Sequence, residues 1–261
     1  MWRKRNCKII FLHIPKTAGQ YIHAVLEAAY DKTEIYPGRV NDHLLTSSID
    51  SLNRYNVFSG HFDWSLLDCL KGDKFVFTVL REPMERILSF YFYLHQKGKT
   101  LSANELALPH NQGLRAAAEL SPDEYFLGSP NHLRNFIDNH FDNFYTYLFA
   151  TRTFGGRGRA KALIRQGDFS EDQLLDLAIE NLTKLDSVVT MSKIRSISKQ
   201  LRAIKKFKKT SVGSDSPINA NIEVPASERL DRLVTMGASP KTIQRLHDYG
   251  RLDQMIWRRF L

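Results

Sequence analysis

Cysteine is almost absent from this chain: two residues in 261, Cys7 and Cys69, each beside apolar neighbours. They make no disulfide framework and no metal-ligand spacing, which points to a reducing compartment. Long hydrophobic runs are lacking as well. The opening "MWRKRNCKIIFLHIPK" is basic and then apolar, but His13 and Pro15 interrupt the run before it reaches the length of a signal core or a membrane span. The expectation is a cytoplasmic protein with no membrane-spanning segment. There is no His-Glu-x-x-His pair, no internal repeat, no low-complexity tract and no linker long enough to divide the chain. No metal site is therefore expected, and residues 1–261 are read as a single domain.

Acidic residues are the minority charge, 28 Asp plus Glu against 37 Lys plus Arg, for a formal charge of +9. That balance favours anionic partners, among which nucleic acid, acidic glycan and nucleotide all stay open. What the chain does have is core material. At 43% hydrophobic and 11% aromatic it can bury a full core, which excludes a disordered protein.

Residues 8–14 are a short β-branched and aromatic run with lysine before and proline after, the pattern of a buried strand. From Ala18 to Tyr30 the apolar positions Tyr21, Ile22, Val25, Leu26 and Ala29 fall at helical spacing. Further strands are expected at 56–60 and 74–80. "REPMERILSFYFYLHQKG" opens a helix with Pro83 in its first turn, repeats Ile87, Leu88, Tyr91 and Leu94 on one face, and is expected to stop at Gly98. Residues 99–170 read as mostly helical. "SEDQLLDLAIENL" is a helix with Ser170 as N-cap, "DSVVTM" a short strand, and 193–210 a basic helix with Ile194, Ile197, Leu201 and Ile204 on one face. Strands alternating with helices imply a three-layer α/β fold, a central mostly parallel sheet flanked by helices, with ligands beyond the strand carboxyl ends.

Two loops leave those ends. "PKTAGQ", Pro15 to Gln20, joins the first strand to the first helix, where backbone N–H groups and the helix dipole favour an anion and Lys16 and Thr17 add a charge and a hydroxyl. It is P-loop-like without the triphosphatase order, because the lysine precedes the small residues. A solvated turn is the plain alternative. The second loop places Arg81 directly after the 74–80 strand and Ser89 two helical turns on, able to meet one anionic group from two sides. The plain alternative here is that Arg81 pairs with Glu82 or Glu85.

Together, Pro-Lys-Thr-Ala-Gly and Leu-Arg-Glu-Pro-x-x-Arg-x-x-Ser-x-Tyr resemble the donor-binding elements of sulfotransferases that use 3′-phosphoadenosine 5′-phosphosulfate. The chain looks most like the carbohydrate branch that contains the hexuronic-acid 2-O-sulfotransferases, with the strongest match over 8–98. The resemblance implies that Pro15, Lys16, Thr17, Ala18, Gly19 and Gln20 hold the 5′-phosphosulfate. It implies that Arg81 and Ser89 hold the 3′-phosphate, with Arg86 and Tyr91 in support. A basic loop late in such chains closes over the 3′-phosphate and adenine, a part that "KKFKKTSVGS", with Lys205 and Lys206, could take. "DNFYTYLFA" is similar to a family stretch in which an arginine stands where Tyr147 is here, with Arg152 or an arginine of the glycine-rich stretch as a replacement.

Sulfuryl transfer needs a cation on the departing phosphate oxygen and a base for the acceptor hydroxyl. Lys16 is the candidate cation. His61 is the candidate base: "GHFDW" follows a short strand ending on the same side as the two loops, and it is similar to the base-bearing Gly-His-x-x-aromatic stretch of the uronyl enzymes, with Ser59 where those have another histidine. His23 and Glu27 on the first helix are weaker candidates, since a histidine among apolar neighbours usually packs. The expected acceptor is a saccharide or glycoconjugate, with no nucleic acid partner and no metal. The rivals are a nucleotide-dependent kinase and a non-catalytic module that binds an anionic glycan or nucleic acid through the basic helix.

Overall fold

The computed structural model describes residues 7–204 and 224–261. Along the chain run β1 Lys8–Leu12, α1 Gly19–Ala29, β2 Val57–Gly60, β3 Lys74–Leu80, α2 Pro83–Lys99, α3 Gln112–Glu119, α4 Asn131–Phe141, α5 Phe144–Thr151, α6 Arg157–Gln166, α7 Glu171–Thr183, β4 Ser187–Thr190, α8 Arg195–Ile204, α9 Arg229–Thr235, α10 Pro240–Tyr249 and α11 Arg251–Phe260, with shorter turns between them. They form two compact units: Met1–Arg81 with Tyr147–Ile218 and Trp257–Leu261, and Glu82–Thr146 with Asn219–Ile256.

The first unit holds a four-stranded sheet in the order β2-β1-β3-β4, every pair parallel. This is the expected α/β architecture, and the sheet explains the sequence pattern: Ile9, Ile10, Phe11, Phe58 and Phe77 are all inaccessible to solvent, as strands buried on both faces require. On one face Ile9, Phe11, Phe77 and Val189 pack with Ile22, Val25 and Leu26 of α1 and with Ile197 and Leu201 of α8. Ser170 caps α7 as expected, its side chain accepting from the Gln173 N–H. The basic helix begins at Arg195. Residues 205–214, with Lys205 and Lys206, lie outside the described residues.

The second unit is helical. Tyr91, Tyr125, Phe126 and Phe141 form its centre, with Leu88 of α2, Ala117 of α3, Ile137 of α4 and Leu246 of α10 around them. Here one expectation is corrected: Gly98 does not stop α2, which runs on to Lys99. A Cβ on Gly98 would lie 2.4 Å from the carbonyl oxygen of Leu114. The glycine answers a close helix crossing by α3, not a helix end. Among the described residues no helix is long and apolar enough to cross a membrane.

Candidate active site

Because the sheet is parallel, its strands deliver their C-terminal residues to one edge. Leu12 pairs with Gly60 on one side and Thr78 on the other, so the cradle after β1, His61 after β2 and Arg81 after β3 emerge side by side. β1 lies between strands reached by connections running in opposite directions, the place where open α/β sheets bind ligands.

The cradle is a strained backbone. Lys16 has φ 70° and Ala18 φ 59°, both left-handed for residues with a Cβ, at a cost of roughly 1–2 kcal/mol each. Between them Thr17 is buried and ties the turn down: its hydroxyl donates to the Ile14 carbonyl at 2.8 Å and its N–H to the same oxygen at 3.3 Å. Thr17 thus shapes the loop from within. Ala18 gives α1 no side-chain cap, so the first amides of the helix face outward. Arg81 is buried and its Nη1 donates to the Lys16 carbonyl at 3.2 Å, which fixes a guanidinium under the turn. Glu82 caps α2 by accepting from the Glu85 N–H. Lys16 and Pro15 are half-buried and Gln20 is exposed. Gly19 is required by a ring: a Cβ there would lie 2.0 Å from Cε1 and Nε2 of His13.

Three imidazoles meet beside the cradle. Nδ1 of His61 lies 2.7 Å from the His13 carbonyl, and since a carbonyl only accepts, that nitrogen carries the proton. The lone pair of neutral His61 is therefore on Nε2. The His61 ring stacks on His13 with centroids 4.4 Å apart and meets Phe154 at 5.2 Å. Burial is the main cause lowering its pKa, partly opposed by the bond to His13. His13 is held well below the usual imidazole range, first by burial and then by the charges of His61, His23, Arg39 and Lys16. His23 is pushed down to about 4 by burial and by Arg39. Its Nδ1 lies 2.5 Å from Nη1 of Arg39 and 2.7 Å from the Ser59 hydroxyl. His23 is neutral at physiological pH with Nδ1 already engaged, which suits a structural role and not a base.

Further segments of the first unit frame this cluster. Asp63 accepts from the Phe154 N–H at 2.5 Å, bringing the glycine-rich stretch against His61. Arg152, one expected replacement for the arginine missing at Tyr147, pairs with Asp68 at 2.8 Å and lies over Trp64 at 4.4 Å. Tyr147 is buried, with Lys161 Nζ 5.4 Å from its ring centre. Ser89 belongs to the second unit, where it is buried and its hydroxyl has no hydrogen-bond partner. Among the described residues no group of His, Cys, Asp or Glu is arranged to hold a metal ion. The sequence reading missed Arg39 and the grouping of the histidines. The histidine absent at position 59 has neighbours in its stead, because Ser59 itself bonds His23 from α1.

Residues 1–255 match the model of the Sulfotransferase family. The chain belongs to that family. No curated protein matches it. The family match makes the chain a transferase of sulfuryl groups, and it runs through both compact units. At the sheet edge of this sulfotransferase a left-handed turn, a half-buried lysine, a buried arginine and an imidazole with its Nδ1 proton on a carbonyl come together.

Proposed function

We propose that the chain, as one functional domain, transfers a sulfuryl group from 3′-phosphoadenosine 5′-phosphosulfate to a hydroxyl of a saccharide or glycoconjugate in the cytoplasm. The observation that carries this reading is the convergence of the left-handed turn at Lys16 and Ala18, the Arg81 guanidinium and the open Nε2 of His61 at one sheet edge. The turn and the buried guanidinium fit a polyanion: concave backbone amides with fixed positive charge beneath them need little rearrangement to receive phosphate oxygens. The donor supplies the sulfuryl group and a phosphate as leaving group. Residues 15–20 bind its 5′ end, and the Lys16 ammonium neutralises charge that develops on the bridging oxygen. Nε2 of His61 takes the acceptor proton while Nδ1–H stays on the His13 carbonyl, so the imidazolium formed keeps its orientation. Arg81 reads the 3′-phosphate. Ser89, a buried hydroxyl without a partner, is kept as a donor to an anionic oxygen. The saccharide acceptor is supported by the Gly-His-Phe-Asp-Trp stretch at 60–64.

The test is calorimetric titration of wild type and Arg81→Ala with adenosine 3′,5′-bisphosphate and adenosine 5′-monophosphate, without metal. Wild type should prefer the bisphosphate strongly, and Arg81→Ala should weaken that ligand by about 2–5 kcal/mol with little change for the monophosphate. Equal losses for both ligands would remove the 3′-phosphate from Arg81 and with it the donor assignment.

A further inference from the structure

Arg39 belongs to no motif, yet it holds the base-bearing segment at several points. Its carbonyl accepts from the His61 N–H at 2.8 Å, and Val40 and His61 form a parallel bridge. Its Nη1 donates to His23 Nδ1 at 2.5 Å and to the Ser59 carbonyl at 3.0 Å. Gly60 is a glycine for the same reason, since a Cβ there would stand 2.5 Å from the Arg39 carbonyl oxygen. The His13 ring spans the gap, 5.6 Å from His23 on one side and 4.4 Å from His61 on the other.

The ordinary explanation is a surface ion pair with Glu27. That pair is loose, with Nη2 3.6 Å from Glu27 Oε1 and the glutamate side chain 55% exposed, a geometry worth little. The shorter contacts of Arg39 all run inward. An arginine cannot accept a hydrogen bond; Nη1 lies 2.5 Å from Nδ1 and 3.2 Å from Nε2 of His23, and the shorter contact makes Nδ1 the acceptor and puts the His23 proton on Nε2.

We infer that Arg39 is a positioning residue: by donating to His23 Nδ1 and the Ser59 carbonyl, and accepting from the His61 backbone, it holds the three imidazoles in the one arrangement that leaves His61 Nε2 open. The charged and titratable groups around it are His23 and Glu27 on α1, His13 and Lys16 before that helix, and His61 after β2. The charge of Arg39 also opposes protonation of His13 and His23. The inference rests on the proposed function only in naming Nε2 of His61 as the working atom.

Nitrogen-15 spectra of the histidine rings, followed through a pH titration, test this without any acceptor. In wild type His23 should titrate near 4 with its proton on Nε2, and His61 should show its proton on Nδ1. In Arg39→Ala the His23 midpoint should rise by about one pH unit or more toward the ordinary value of about 6.5, and both rings should become tautomer mixtures. Arg39→Gln keeps an N–H donor without the charge, so it should restore the His23 tautomer while leaving the midpoint high. Ring signals and midpoints in Arg39→Ala that match wild type would overturn the inference; should that variant not fold, the same match in Arg39→Gln would do so. Calorimetry with adenosine 3′,5′-bisphosphate on the same samples keeps the two readings separate. Failure of wild type to bind it would sink the donor assignment, while the ring spectra alone decide the role of Arg39.

Discussion

The two units set their buried polar groups in different surroundings. In the second several are bonded within an aromatic core, though the Ser89 and Tyr125 hydroxyls are not: Arg86 donates to the His140 carbonyl at 2.7 Å and lies 4.7 Å from the Phe144 ring centre, and the Tyr249 hydroxyl donates to Asp138 at 2.6 Å. Asp253, fully enclosed, accepts from the N–H groups of Tyr145 and Thr146 at 2.9 Å each. In the first unit Arg81 and three imidazoles gather at a sheet edge, beside a turn with two left-handed residues, with the imidazole pKa values lowered chiefly by burial. Strain and discouraged charge gather at that edge, while aromatic packing supplies rigidity in the second unit. Substitutions in the two units should accordingly fail by different routes.

The sharpest contrast comes from changes that act chiefly on rate. His61→Ala should lower transfer by a factor on the order of 10² to 10⁴, and Lys16→Ala by roughly 3–4 kcal/mol in the transition state, each with a far smaller change in denaturant midpoint than truncation in the aromatic core brings. A matching loss of stability in either variant would erase the distinction. Phe126→Ala in the second unit should do the reverse. Its ring contacts Tyr125 at 4.9 Å and Phe141 at 5.4 Å between centroids, so truncation should cost about 3–5 kcal/mol of stability. Bisphosphate affinity should survive in whatever fraction stays folded, and calorimetry corrected for the folded fraction measures it.

A smaller effect should follow pH. Burial pushes the Asp253 carboxyl up to about 6 from its usual 3.8, although it accepts three hydrogen bonds that favour its charged form. A raised carboxyl makes the folded state bind more protons than the unfolded one, so its contribution is present below about pH 4 and is lost as pH rises through about 6. The difference in unfolding free energy between wild type and Asp253→Asn should shift by on the order of 2–3 kcal/mol between those limits. A difference that does not vary with pH would show Asp253 titrating normally. The smallest effect is expected at Tyr125, whose buried hydroxyl has no hydrogen-bond partner. Tyr125→Phe should stabilise the protein by about 1 kcal/mol, read from the denaturant midpoint; a loss of similar size would reveal a partner for the hydroxyl.

Much of the first unit was legible in the sequence. The run 74–80 is a strand with those same ends, because an unbroken apolar stretch between a charged residue and Arg81-Glu82-Pro83 has no other good conformation. Lys16, His61 and Arg81 were singled out because each follows a strand, and the structure brings them to one sheet edge. Arg39 was not, since it sits in an irregular stretch and its partners lie 16 to 22 residues away along the chain, related only through the sheet edge. Gly98 misled for a different reason. A glycine near a helix end looks the same whether it releases the backbone or admits a neighbour, and only the position of Leu114 tells the two apart. The left-handed turn at Lys16 and Ala18 was equally hidden, because neither is a residue type that favours that conformation.

The sheet order also governs the sequence of events during synthesis. β1, β2 and β3 can pair once residue 80 has left the ribosome, but the outer edge of β3 waits for β4, whose Thr190 pairs with Leu80 across 109 intervening positions. During that interval a nascent chain carries an open strand of Phe77, Val79 and Leu80. Such an edge is a template for pairing with other chains, and long-range closure is slow. Expression yield should therefore depend on how quickly translation covers residues 81 to 190, and slow codons there should send more of the product into aggregates than the same codons placed after β4.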